Sequence, residues 1–283
     1  MGRDESGEEV EIAPACDVVI IDEASMVDVP LLAEVLRRID FAQTQVVLVG
    51  DHNQLPPVGP GNVLRDILHG NLAPKTVLTE VVRQAGVLKA NSTKILSGVI
   101  APTAVNDPGW AVIDSFREPQ QVQTYLRDLV VQLIPDRLGY DAVRDVQIIT
   151  PTHKGPLGTK ALNEMMQFLL HGKVEGRFAM GDKVIQTAND YTMGVMNGTI
   201  GWVVDIDAGN YFVEFEGGQV HKIDGERLHR IQLAYALTAH KAQGSEFPCA
   251  VVICHKSHFF ADRNWLYTAV TRASKTCILV GDR

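Results

Sequence analysis

In the stretch VVIIDEASMVD, residues 18–28, four apolar residues run straight into two carboxylates, Asp22 and Glu23. An unbroken apolar run of this length reads as a buried strand of a parallel sheet, where ligands sit at the carboxyl ends of the strands. Adjacent carboxylates there form a Walker B pattern. They suit a magnesium ion and a polarised water, and the chemistry would be phosphoryl transfer to water. A second apolar run, in VVLVGDHNQLPPVGPG at 46–61, ends in Gly50 and Asp51 with Gln54 close behind. A glutamine just past a strand end can hydrogen-bond a terminal phosphate or its attacking water without changing the charge. Taken alone that segment is a plain strand-to-helix loop, and the acidic strand end upstream raises the functional reading. Arg83, in LTEVVRQ, is by itself a surface arginine, yet a guanidinium is also the usual bidentate reader of phosphate. In YALTAHKAQGSEF, 235–247, an apolar strand leads into Thr238, His240, Lys241, Gln243, Gly244, Ser245 and Glu246. That is more hydrogen-bonding groups than a solvated surface requires. NWLYTAVTRASK, 264–275, reads as a helix with Trp265, Tyr267 and Val270 inward and Thr271 and Arg272 near its end.

Positioning such residues takes alternating strands and helices. The pattern predicts a strand at 18–22, a helix near 29–39, a strand at 46–50, a Pro/Gly loop, and helices at 62–69 and 87–97. KTVLTEVVRQ reads as a short strand and turn, and 101–118 as irregular. A helix at 119–134 precedes a strand at 146–150 and a helix at 157–171, and strands return near 232–237, 249–254 and 277–281. Between Gly181 and Leu228 the texture changes to short β-rich runs broken by Gly and Asn, the spacing of a small antiparallel barrel. The fold class is therefore α/β, a parallel-sheet chain with a β insert of about fifty residues. The opening residues 1–17, acidic and aperiodic, read as a leader or junction without fixed structure.

Bulk properties narrow the function. With 26 Lys plus Arg against 34 Asp plus Glu the net charge is −8, which argues against a protein coated in positive charge and leaves room for a narrow basic channel. The 4 cysteines are too few for a disulfide framework in 283 residues. No signal peptide or apolar run of about 20 residues is visible, so a cytoplasmic setting is expected. CAVVICHKSH, 249–258, invites a zinc reading, but Cys249 to Ile253 fits a buried strand and no second ligand pair matches it. Trp110, Trp202 and Trp265 could stack on bases; Trp202 lies in a barrel-like strand and reads as core. Lys173, Arg177 and Lys183 read as a solvated rim of the insert.

The order of these motifs resembles the superfamily 1 helicases, most nearly their RecD/TraA-like branch, which moves 5′ to 3′ on single-stranded DNA. IIDEASMVD, VGDHNQLPPVGPGNVL, LTEVVRQ, ITPTHKGPLGTKALN, LTAHKAQGSEF and LYTAVTRA look like its motifs II, III, IV, IVa, V and VI, over nearly the whole chain from Val18 on. The resemblance implies RecA-like P-loop NTPase sheets, the first domain incomplete, with an SH3-like insert. Its domains would be 18–72, the end of a first RecA-like domain, and 73–283, a second one carrying the insert at 181–228. It implies ATP and Mg2+ as cofactors and single-stranded DNA as partner. Asp22 would hold magnesium through water, Glu23 would activate the attacking water, and Gln54 would sense the γ-phosphate. Arg83 and Arg272 would be arginine fingers, and Gly50, Asp51, Gly244 and Glu246 would lie near the nucleotide. Thr152, His153, Lys154, Asn163, Thr238, His240 and Lys241 would line the strand.

Two departures stand out. The family's insert usually starts with Asn-Gly-Asp, whereas here Asn197-Gly198 is followed by Thr199. The larger one is the phosphate cradle: G-x-x-x-x-G-K-[ST] is absent, and the nearest imitation, KGPLGTK at 154–160, has the wrong spacing and no Ser/Thr after its lysine. The upstream half of the family, with motifs Q, I and Ia, is expected to precede Val18, and the chain alone is expected to hydrolyse no ATP. The rival expectations are a non-catalytic nucleic-acid-binding protein derived from a helicase and the helicase part of a conjugative relaxase.

Overall fold

The computed structural model describes residues 2–3, 9–10, 16–78, 86–105, 107–258 and 261–282. They form two compact units, Met1–Glu80 and Val81–Arg283.

In the first unit a short antiparallel pair, β1 (Gly2–Arg3) with β2 (Glu9–Val10), lies within the stretch expected to lack structure. β3 (Val18–Ile21) and β4 (Gln45–Leu48) pair in parallel from Val18↔Gln45 to Ile21↔Leu48. A parallel pair needs a crossover, and α1 (Val29–Leu36) supplies it. Asp28 starts that helix by accepting the Leu31 N–H at 2.8 Å, and Pro30 occupies its first turn. α2 (Val63–Gly70) ends where Asn71 turns left-handed at φ 49°. The expected burial of the 18–21 run is only half met. Val18, Ile20, Val47 and Val49 stay exposed, Ile20 at 66%, because β3 and β4 have only each other as neighbours among the described residues.

The second unit holds two five-stranded sheets. The parallel one runs β12-β6-β13-β14-β5, with β5 (Trp110–Ile113), β6 (Val146–Thr150), β12 (Ala236–Thr238), β13 (Phe247–Cys254) and β14 (Ala273–Gly281). Its central strands are mostly apolar, as burial on both faces demands, and Cys249 to Ile253 are fully buried. One face packs on α4 (Pro119–Asp128), a π-helical turn (Leu129–Leu133), α5 (Ile134–Leu138) and α6 (Thr159–His171), through Val122, Leu126, Ile134, Leu162 and Met166. α3 (Gly86–Leu96) and α9 (Arg263–Val270) pack against one another and against β14. No described helix is long and apolar enough to cross a membrane.

The antiparallel sheet runs β10-β9-β8-β7-β11, from β7 (Lys183–Gln186), β8 (Ile200–Asp207), β9 (Asn210–Phe215), β10 (Val220–Ile223) and β11 (Ile231–Leu233). Phe178, Val184, Val203, Val213, Phe215 and Ile231 form its own core. Two left-handed residues, Ala208 and Gly209, make the β8–β9 turn, which matches the twist of a hairpin. α7 (Gly225–Leu228) links β10 to β11. The strand expected near 232–237 is thus two strands: β11 belongs to the antiparallel sheet and β12 to the parallel one, with Ala234 and Tyr235 as the joint.

Candidate functional site

In the first unit Asp22 and Glu23 follow β3 directly. Glu23 is left-handed at φ 49°, and its N–H bonds the Asp22 carboxylate at 2.8 Å. Such strain in a non-glycine residue persists only where surroundings hold it. Here the Ala24 N–H donates to the Val49 carbonyl at 2.8 Å, locking the turn onto the end of β4. Gly50 allows that close crossing, since a Cβ would stand 3.0 Å from the backbone nitrogens of both Ala24 and Ser25. Asp51 then accepts the Asn53 N–H at 2.9 Å, and the Gln54 N–H returns to the Asp51 carbonyl, so Gln54 rides on a closed turn just past the end of β4. The Asp22 side chain is exposed. A single hard carboxylate leaves most coordination to water and phosphate, the usual manner of holding magnesium, so the residues present fit that ion. Arg83 lies outside the described residues.

In the second unit Thr150 and Thr238, the last residues of β6 and β12, are register partners, so two motif loops leave the sheet side by side. The 151–158 loop folds back on itself: Lys154 N–H reaches Thr152 Oγ1 at 3.2 Å, and His153 Nδ1 meets Thr159 Oγ1 at 3.1 Å. Thr238 caps α8 (Ala239–Ala242), accepting the Lys241 N–H at 3.3 Å. His240 is held below the ordinary histidine range by burial and by the neighbouring His153, so the two imidazoles share one patch. Lys154 is exposed, and Lys241 is half-buried with Nζ donating to Asn197 of the antiparallel sheet's 187–199 loop at 2.8 Å.

Two of the expected strand-lining residues do other work. The Asn163 amide is buried and doubly bonded to the Ala236 backbone, donating at 3.0 Å and accepting at 2.8 Å, so it fixes the start of β12. Thr238 is buried as a helix cap. Arg272 also departs from expectation. The helix stops at Val270 and β14 starts at Ala273, leaving Arg272 between them and 1% exposed. Its Nε donates to the Thr268 carbonyl at 3.1 Å, Nη1 to the Ser245 carbonyl at 3.3 Å, and Nη2 to Thr271 Oγ1 at 3.2 Å. The guanidinium therefore binds the Gly244–Glu246 turn to the end of α9.

Three further charged residues went unnoticed or misread. Lys183, expected on a solvated rim, is 1% exposed. Its Nζ donates to the Val146 carbonyl at 3.1 Å and sits 5.0 Å from the Phe247 ring, and burial pushes its pKa down to about 7. Asp182 is fully buried, accepting from the Tyr235 hydroxyl at 2.6 Å, Gln167 Nε2 at 2.6 Å and the Ala179 N–H at 2.7 Å. Arg144 bridges Glu214 at 3.2 Å and lies 4.7 Å over the Trp202 ring. The one sequence signal was an Asp-Lys pair opening an otherwise apolar strand.

Comparison with known proteins agrees with the α/β fold. The family models described as an AAA domain, an ATP-dependent RecD-like DNA helicase SH3 domain and a UvrD-like helicase C-terminal domain match residues 3–110, 160–215 and 233–280. The ATP-dependent RecD2 DNA helicase of Deinococcus radiodurans is 36% identical over 264 residues, 91% of this chain and 35% of that protein. The RecBCD enzyme subunit RecD of Mycolicibacterium smegmatis is 31% identical over 283 aligned residues, 94% of this chain and 50% of that one. Among solved structures, the Pif1 helicase from Bacteroides in complex with ADP-AlF3 and ssDNA shares the fold, with a TM-score of 0.59 at 21% identity over 95% of this chain and 71% of that one. Over 91% and 94% of its length the chain is thus similar to these RecD-type proteins, and it spans about a third to a half of the length of these curated relatives.

Proposed function

We propose that this chain forms part of an ATP-dependent, single-stranded-DNA translocating helicase of the RecD type. The observation that carries the reading is the shared exit of β6 and β12, which gathers His153, Lys154, His240 and Lys241 at one end of one sheet. Phosphate contacts of this kind grip a strand without reading its sequence. ATP with Mg2+ supplies, when bound, the phosphoanhydride whose hydrolysis drives movement. In this proposal Asp22 holds the metal through water, Glu23 orients and deprotonates the attacking water, and Gln54 reports the γ-phosphate to the strand path. Gly50 and Asp51 keep the backbone of the first unit close to the nucleotide. Arg83 answers the phosphate charge. Arg272 contributes by holding the 244–246 turn in place, and a direct phosphate contact would require it to leave its three present acceptors.

The test is a fluorescein-labelled oligothymidylate titrated with the chain over a salt series. Lys154→Ala and Lys241→Ala are expected each to weaken binding and to reduce the slope of log K against log salt by about 1. If neither variant changes affinity or slope, the strand does not run over this patch.

A further inference from the structure

A pocket of about 230 Å3 opens beside β5, and none of the motif residues named above lines it except Trp110. Trp110 and Ile113 line it from the strand, and the helical run from α4 to α5 lines it from the other side. Tyr125, Leu129, Leu133 and Arg137, each four residues from the next, all face the pocket. In an uninterrupted α-helix each step of four overshoots a turn by about 40°, so three steps would carry Arg137 about 120° away from Tyr125. The π turn at Leu129–Leu133 absorbs the excess and keeps the four together. Such turns are rare and gather at functional positions.

The polar groups around the pocket fall into two kinds. Thr103 Oγ1 is committed to the Val112 N–H and carbonyl, at 2.8 and 2.9 Å, and Asp107 to the Gly109 N–H at 2.8 Å. The Tyr125 hydroxyl and the Arg137 guanidinium make no hydrogen bond or ion pair with any described residue, yet Arg137 lies close enough for its charge to act on the phenol. Burial raises the Tyr125 pKa, so the hydroxyl stays a donor at any physiological pH. Two free donors, one a permanent cation, above an apolar floor suit a bulky apolar group that carries a carboxylate. The apolar surface also continues past the pocket. Val105, 93% exposed, directly follows Ala104 of its wall and gives a flanking chain something to rest on.

We propose that this pocket captures the carboxyl terminus of a partner polypeptide ending in a bulky aliphatic or aromatic residue, with the side chain on Ile113 and Leu133 and the terminal carboxylate on Arg137 and Tyr125. Carboxylate capture beside an apolar pocket is a recurring mode of peptide recognition. It involves none of the residues assigned to nucleotide or DNA.

The experiment titrates a short fluorescein-labelled peptide ending in Leu-Phe with the 283-residue chain and follows polarisation. Saturable binding is expected. Amidating the peptide terminus and Arg137→Gln should each weaken it by about 10-fold or more, the worth of a charge-assisted hydrogen bond, and Tyr125→Phe by a few-fold. Arg137 is exposed, so its variant should melt with the parent. The proposal is overturned if acid and amide bind alike, if no saturable binding occurs, or if 3-phenylpropionate binds as tightly as the peptide, which would make the ligand a small acid.

Discussion

Replacing Lys183 by methionine isolates one of the most heavily buried charged groups among the described residues. Burial lowers its pKa from 10.5 to about 7, against the opposing pull of Glu216, Asp145 and Asp141. A folded-state pKa below the unfolded one means that, between those two values, the unfolded chain holds a proton the folded chain lacks. Stability should therefore rise with pH across that window by up to about 1.4 kcal/mol per pH unit, and flatten below about 7, where both states are protonated. Methionine keeps the length and removes the titration, at the loss of the hydrogen bond to Val146. Comparing wild type with Lys183→Met cancels every other titrating group, so from pH 7 to pH 9 the wild type should gain about 2 kcal/mol on the variant. Urea denaturation read by tryptophan fluorescence is the assay, because Trp110, Trp202 and Trp265 all lie in the unit that contains Lys183. Parallel stability profiles for the two proteins over that range would refute the reasoning, since they would mean that the ammonium keeps its proton with water or a carboxylate beside it.

Two more outcomes follow from single residues. Asn163→Ala should destabilise the second unit by about 2–4 kcal/mol, because it strands both the N–H and the carbonyl of Ala236, while single-strand affinity per folded molecule stays unchanged; a selective loss of DNA binding at an unaltered melting temperature would return Asn163 to the strand path. Arg272→Lys should lower the melting temperature of the same unit, since one ammonium cannot serve the acceptors on Thr268, Ser245 and Thr271 at once, and unaltered melting in differential scanning calorimetry would show that those bonds do not hold the turn.

Much of this arrangement was legible in the residues. Apolar runs closed by polar clusters located β3, β4, β6, β12 and β13, and the Gly- and Asn-broken texture after residue 181 located the antiparallel sheet. What escaped depended on contacts distant in sequence. Whether a guanidinium such as Arg272 faces solvent or its own domain is decided by carbonyls on Ser245 and Thr268, which no local pattern announces. Lys183 looked like a surface charge because its sheltering partners, Val146 and Phe247, belong to two other strands. The run 231–238 carries one continuous apolar pattern and serves two sheets, and periodicity cannot mark a change of partner.

The antiparallel sheet leaves and re-enters the parallel one at a single place. The Ala234 N–H bonds the Lys183 carbonyl at 2.8 Å, the Tyr235 hydroxyl bonds Asp182, and Gln147 Nε2 holds the carbonyls of Ala234 and Tyr235, both at 3.0 Å. Everything between residues 183 and 234 is thus a cassette whose two ends are already stapled, so its length can vary without moving the strands below. Insertions and exchanges are tolerated best where chain ends lie together. In this molecule the graft point is Asp182–Tyr235, and a lineage could lengthen, trim or replace the cassette while the motif loops at the far ends of β6 and β12 stayed in register.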